Sequence, residues 1–210
     1  MFMESDLLLD LMNSRTSIRK YTDEEIKRED LGKILEAGRW APSAGNMQSW
    51  EFVVVEDDGL KEELSQASYN QTHVREAPVC IVVLGDHEKA ERKYNERGRN
   101  VYMVQETAAA MQNMLLMAQS LDIGTAWVGA FDGEKVSDLL EVPDRLTPLA
   151  IVTLGHPNER PIQNQKKRIT DVTYINTYGN RLHRVFEERD WEGVANYFSK
   201  AKKSIKEYFK

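Results

Sequence analysis

Leu7, Leu8, Leu11 and Met12 recur at helical spacing and predict a first helix ending near Asn13. Thr22-Asp-Glu-Glu25 has the form of a capping box, so a second helix is expected to open there, with Ile26, Leu31, Ile34 and Leu35 on its apolar side. The turn-rich stretch APSAGNMQSW, Ala41 to Trp50, interrupts the helical pattern, and Glu51 to Glu56 reads as strand. Pro78 precedes a second expected strand, Val79 to Gly85. From Val101 to Leu121 the pattern is helical again and unusually apolar, with Gly124 placed to end it. Two more strands are expected around Thr125 to Val128 and Leu149 to Leu154, separated by the helix-like EKVSDLLE. Pro157 to Gln165 reads as a surface loop, and Asp190 to Tyr208 as a last helix with four lysines after Ser199 and Lys210 just beyond it, the usual dress of a solvated face. Helices mixed with four short strands give an α+β pattern.

The helix over Val101–Leu121 changes this picture most. Ala108, Ala109, Met111, Leu115, Met117 and Ala118 cover more than one of its faces, so it must be buried on several sides. A subunit interface and a central intrachain helix both satisfy that requirement. The 210 residues, 41% hydrophobic and 30% charged, suit one sizeable core, and hence a single domain. A net charge of −6 argues against a general polyanion binder, and no nucleic-acid partner is expected. The acidic start MFMESDLLLDLM is unlike a signal peptide, no window has the apolar length of a membrane span, and Cys80, the only cysteine, falls in the apolar run VCIVVLG as a buried thiol would. The expectation is a soluble, cytoplasmic protein without membrane attachment.

The chain has no glycine-rich dinucleotide fingerprint, phosphate-loop lysine or nucleophile elbow. His73, His87, His156 and His183 lack metal-ligand spacing and are expected to be surface or packing residues, with no metal. Asp57-Asp58 and Glu62-Glu63 are assigned no catalytic role. Three polar clusters carry the remaining chemistry. In Arg15-Thr16-Ser17-Ile18-Arg19, an extended backbone would project residues 15, 17 and 19 to one side, presenting two guanidinium groups and a hydroxyl as a phosphate requires. On its own this segment fits a solvated basic loop at least as well. In Ala41 to Trp50, Ser43, Asn46 and Gln48 can hydrogen-bond a flat heterocycle and Gly45 permits close approach, although a simple turn before a strand fits too. Lys166-Lys167-Arg168 is a third, compact positive site that alone would mean little.

Taken in order, RTSIRKY, APSAGNMQSWEF, Ala77-Pro78, AAAMQNMLLMA, GTAWVGAFD, LAIVTLGHP and KKR resemble the nitroreductase family of FMN-dependent NAD(P)H oxidoreductases, over about residues 7 to 170. The resemblance implies a nitroreductase-like α+β fold with a central, mainly antiparallel sheet flanked by helices, and a homodimer joined along the long central helix with FMN at the interface. It implies one domain over 1–210, with 170–210 an extension of the kind that often wraps the partner subunit. By position, Arg15, Thr16 and Ser17 would hold the FMN phosphate with Lys166 and Arg168. Arg19 and Asn70 would face the pyrimidine edge. Pro42, Ser43, Ala44, Asn46 and Gln48 would approach from the other subunit, and Gly129-Ala130 would supply a backbone N–H to flavin N5. No side chain is assigned as catalytic, because the flavin carries the hard step: hydride from NADH or NADPH, then electrons to a nitroaromatic, quinone or related small acceptor in ping-pong alternation.

The same resemblance includes flavin reductases, dehalogenase-like and flavin-fragmenting enzymes, while a non-catalytic FMN-binding redox sensor and a cofactor-free dimeric scaffold stay open beside them. Tyr94 to Met103 would border the substrate channel, through Tyr102. Two departures stand out. Many members have Gln-Pro-Trp where this chain has Gln48-Ser49-Trp50, a change expected to affect local rigidity more than chemistry, and some have Glu-Gly where it has Gly129-Ala130.

Overall fold

A computed structural model describes residues 5–181. The chain divides into a first unit, residues 1–162, and a second that begins at Gln163. The first unit contains α1 (Ser5–Ser14), α2 (Arg28–Arg39), a 3₁₀ turn (Ala44–Asn46), β1 (Trp50–Val55), α3 (Asp58–Ala67), α4 (Thr72–Glu76) and β2 (Val79–Asp86). It continues with α5 (His87–Arg97), a π-helical turn (Gly98–Tyr102), α6 (Met103–Ser120), β3 (Gly124–Val128), α7 (Gly133–Leu139) and β4 (Leu146–Gly155).

The four strands form one sheet in the order β1-β2-β4-β3, antiparallel throughout. Strand β2 is buried along its whole length, which its continuous apolar run requires of a strand covered on both faces. Its alternate residues divide between two cores. Val79, Ile81 and Val83 pack with Ile34 of α2 and Met111, Met114 and Leu115 of α6, while Cys80, Val82 and Leu84 pack with Leu64 of α3, Val74 of α4 and Val136 of α7. Cys80 is fully buried, its thiol donates to the Val74 carbonyl at 3.3 Å, and burial pushes its pKa up to about 12, so it is inert packing.

Helix α6 lies against the sheet and α2 through Ala110, Met111, Met114, Leu115 and Ala118, leaving Ala108, Ala109, Leu116 and Met117 half-buried. It is central within the subunit and still keeps apolar surface.

Several local expectations are corrected. The second helix opens at Arg28, with Lys27 at its N-cap and no side-chain cap; the Thr22 hydroxyl accepts from the Glu24 N–H at 3.3 Å, closing a turn before the helix and capping nothing. Gly124 does not end α6. The helix closes at Ser120, Asp122 takes the left-handed turn (φ 59°), and Gly124 begins β3, where an added Cβ would lie 2.8 Å from Ile18 Cβ. Two charged stretches for which no element was expected are helices with aspartate caps: Asp57 accepts from Leu60 N–H at 2.9 Å, and Asp86 from Lys89 N–H at 2.8 Å.

Of the second unit, the described part holds the short α8 (Ile169–Val172), a Tyr174–Arg181 bridge and the Tyr174–Tyr178 ring pair at 4.6 Å. The expected helix over Asp190–Tyr208, and His183, lie outside the described residues. Among the described residues no helix is long and apolar enough to cross a membrane.

Candidate functional site

After α1 the chain turns extended and runs beside β3. Ser17 bridges Thr125 in parallel, and the Ile18 N–H donates to the Thr125 carbonyl at 2.9 Å. Ile18 is buried against Gly124, and the Arg15 N–H still donates to the Leu11 carbonyl at 3.2 Å, so the extended stretch begins after Arg15. The Arg19 N–H donates to Glu159 Oε1 at 2.6 Å, and the Tyr21 hydroxyl donates to the Ile18 carbonyl at 2.6 Å, so the segment is pinned at both ends of its exposed stretch. Among the described residues, neither the Arg15 nor the Arg19 guanidinium has a carboxylate partner within ion-pair distance, whereas ion pairs hold Arg28, Arg39, Arg75, Arg99 and Arg145. Two such cations on one short segment are a donor set suited to an anion.

Asn70 comes to the same edge of the sheet. Tyr69 and Asn70 both adopt left-handed backbone (φ 56° and 60°), and the Asn70 N–H donates to the Ser65 carbonyl at 2.9 Å. The next residue, Gln71, donates from Nε2 to the Ala130 carbonyl at 3.0 Å, and Asp132 N–H donates to the Ala67 carbonyl at 2.9 Å. These bonds tie the Asn70 turn to Gly129-Ala130, immediately after β3. His73, on α4, is buried, and its pKa is lowered first by that burial and then by the Arg19 charge, which places Arg19 within electrostatic reach of the same corner. Arg15, Thr16, Ser17, Arg19, Asn70, Gly129 and Ala130 thus gather along the β3 edge.

The cluster from Pro42 to Gln48 is elsewhere, leading into β1 at the opposite edge of the sheet. Gly45, Asn46 and Gln48 all have left-handed backbone (φ 53°, 57° and 51°), and a Cβ at Gly45 would fall 2.3 Å from the Tyr94 hydroxyl. The close approach that Gly45 allows is therefore to Tyr94 of its own chain. Within the turn, Gln48 N–H donates to Ser43 Oγ at 3.1 Å and Gln48 Nε2 to Asn46 Oδ1 at 2.9 Å.

Three charged residues that sequence reasoning missed hold this loop. Glu106 of α6, buried, accepts from the Ala44 N–H at 3.2 Å, from the Ser49 N–H at 2.6 Å, and from the Ser49 hydroxyl. Lys93 Nζ donates to the Gly45 carbonyl at 2.6 Å and Lys89 Nζ to the Gln48 carbonyl at 3.2 Å. Glu106 had a signal: it is the sole carboxylate in the apolar run from Val101 to Leu121. Ser49 also corrects an expectation, because its N–H and hydroxyl, which a proline lacks, are bonded to a buried carboxyl group, and the departure from Gln-Pro-Trp is a change of chemistry.

Lys166 and Arg168 belong to the second unit, where Arg168 Nε donates to Asp171 Oδ2 at 3.3 Å.

An antiparallel sheet between two helical layers, with a basic segment bridged to one edge strand, defines an α+β fold. The nitroreductase family model matches residues 12–73 and 65–156, and the chain belongs to the nitroreductase family. A candidate NADH dehydrogenase/NAD(P)H nitroreductase of Archaeoglobus fulgidus is 36% identical over 155 residues, 72% of this chain and 86% of that protein. Among solved structures, a candidate NADH dehydrogenase/NAD(P)H nitroreductase of Parabacteroides distasonis is similar with a TM-score of 0.74 and 27% identity, covering 82% of this chain and 99% of that one. An FMN-dependent nitroreductase of Clostridium difficile is similar with a TM-score of 0.71 and 26% identity, covering 81% and 99%.

Proposed function

We propose that the protein is an FMN-dependent NAD(P)H oxidoreductase that works as a homodimer with its flavin sites between subunits. The observation that carries the reading is that Arg15 and Arg19, neither with a carboxylate partner among the described residues, flank the Ser17–Thr125 bridge near the Asn70 and Ala130 turns. That donor set fits a phosphate at one end and an electron-rich ring edge at the other. FMN bound there would take a hydride from NADH or NADPH at N5 and give its electrons to a nitroaromatic, quinone or related small acceptor, the two substrates visiting in turn.

The residues of the chain then bind, orient and tune. Arg15, Thr16 and Ser17 hold the phosphate. Arg19 and Asn70 face the pyrimidine edge, and the backbone at Gly129-Ala130 serves N5. Pro42, Ser43, Ala44, Asn46 and Gln48 cover the ring from the partner subunit.

Distance supports the two-subunit arrangement. Ser14, next to Arg15, accepts from Gln119 near the end of α6, whereas Ala44 and Ser49 are bonded to Glu106 near its start. Those helix positions lie about 20 Å apart at 1.5 Å per residue. One ring cannot be flanked by both clusters of one chain, but a two-fold pairing can bring one chain's loop to the other's arginines. The apolar surface needed for such pairing is present: Leu8, Leu9 and Met12 of α1 and Val104 of α6 are exposed.

Arg19→Ala is expected to make the two-electron reduction potential more negative, because the cation stabilises the charge that gathers on the pyrimidine edge when the cofactor is reduced. Spectroelectrochemical titration of wild type and variant tests this. An unshifted potential with FMN bound would remove Arg19 from that role.

A further inference from the structure

Two buried polar groups that the proposed cofactor site does not use flank the Asn70 turn. Ser68, which ends α3, is fully buried, and its hydroxyl has no hydrogen-bond partner among the described residues. His73, on α4, is 7% exposed, and its ring nitrogens bond to no other group among the described residues. An imidazole buried without a partner gives up its hydrogen bonds to water and gains none in return, a cost that simple packing does not explain.

The helix that carries His73 is fixed. The Gln71 carbonyl accepts from the Ser65 hydroxyl and from the Val74 N–H, both at 3.0 Å, which ties α4 to α3. Val74 itself is packed in the core with Cys80 and Val82. Between Ser68 and His73, Tyr69 and Asn70 are consecutive left-handed residues, a costly backbone of the kind that collects at functional sites. Charged groups from three elements face His73: Arg19 from the segment beside β3, Glu159 from the stretch after β4, and Glu76 from α4 itself. Glu159 also accepts the Arg19 N–H at 2.6 Å, so this cation and carboxylate are held on one strut. Burial first, and the Arg19 charge second, hold the imidazole below the ordinary histidine range, with the two carboxylates opposing them. The ring is therefore neutral at neutral pH until a negative charge arrives beside it.

We infer that His73 takes up one proton from water when the cofactor is reduced and returns it on reoxidation, so that two electrons enter the site with two protons. The inference rests on the oxidoreductase reading, which puts the negative charge of the reduced pyrimidine edge beside Arg19 and Asn70, in the corner that His73 occupies. Hydride from NADH or NADPH brings both electrons and one hydrogen; the second proton comes from water and resides on the imidazole, and NAD⁺ or NADP⁺ leaves. The new anion favours the imidazolium against both burial and Arg19. A quinone that accepts the electron pair needs two protons, of which hydride supplies one, and reoxidation releases the other from His73.

The test is spectroelectrochemical titration of the FMN-loaded protein at a series of pH values on both sides of neutrality. Each proton that accompanies the two electrons changes the equilibrium tenfold per pH unit, which is about 30 mV. The wild type is expected to show about 60 mV per pH unit through neutral pH, and His73→Gln about 30 mV per pH unit over the same interval. Nuclear magnetic resonance of the four histidines gives an independent reading. One ring should titrate below the ordinary range in the oxidised protein and about one pH unit or more higher after reduction, and its signal should be missing from His73→Gln. A wild-type slope of about 30 mV per pH unit throughout, a two-proton slope retained in folded His73→Gln, or four histidine titrations unmoved by reduction would overturn the inference. The wild-type slope and the resonance shift decide the matter even where the variant does not fold. A protein that binds FMN and shows the one-proton slope ends this inference alone, whereas a protein that takes up no FMN ends the oxidoreductase reading and the inference with it.

Discussion

Glu106→Ala is expected to lower stability by about 3–5 kcal/mol, because each buried donor left without its acceptor costs about 1–3 kcal/mol. Its side chain is 4% exposed and receives the Ala44 N–H, the Ser49 N–H and the Ser49 hydroxyl. All three donors lie in the loop assigned to the partner subunit's flavin, so the variant should also lose FMN affinity although Glu106 touches no cofactor. For a chain of this size the loss corresponds to a fall in melting temperature of about 6–20 °C. Glu106→Gln keeps one oxygen for Ser49 but turns an N–H₂ toward a donor, so its loss should be smaller than that of the alanine variant. Thermal melts with and without FMN decide the matter: an alanine variant that melts with the wild type would show that the loop does not depend on Glu106.

Arg15→Ala should weaken FMN binding by about 1.5–3 kcal/mol, the range of a hydrogen bond to a charged group, which is about 10- to 150-fold in Kd. Its side chain is partly buried on a segment fixed by the Ser17–Thr125 bridge, so little ordering is needed when an anion arrives. The apoprotein should melt close to wild type, because Arg15 has no carboxylate partner to lose among the described residues. Fluorescence titration of apoprotein with FMN measures the effect. Affinity equal to wild type would place the phosphate elsewhere.

The sequence was most legible where one force dominates. The run VCIVVLG reads as strand, and it is β2, buried along its whole length. The apolar excess of α6 predicted burial on several sides; the sheet and α2 bury Met111, Met114, Leu115 and Ala118 and leave Ala108 and Met117 half-buried. The apolar member of Arg15 to Arg19, Ile18, is buried against Gly124.

Local signals misled where tertiary contacts outweighed them. Thr22 has the sequence of a helix cap, but Thr22 N–H donates to the His156 carbonyl at 2.9 Å, which keeps the chain extended and delays the helix to Arg28. Gly124 has the sequence of a helix stop, but its missing Cβ makes room for Ile18. The helices α3 and α5 were hidden by their charge, since their apolar faces are narrow and their caps, Asp57 and Asp86, resemble surface acids. The supports of the second cluster were illegible for another reason. Glu106 lies 57 residues from Ser49, and Lys93 lies 48 from Gly45. Nothing in either segment alone declares the pairing.

The central claim is that the chain holds FMN and accepts hydride through it, and the most direct measurement is the visible absorption spectrum of the purified protein before and after anaerobic addition of NADH or NADPH. The account predicts a flavin spectrum that bleaches on addition of one or both reductants. A flavin spectrum that persists with both, or a protein that stays colourless after FMN is supplied, would contradict it.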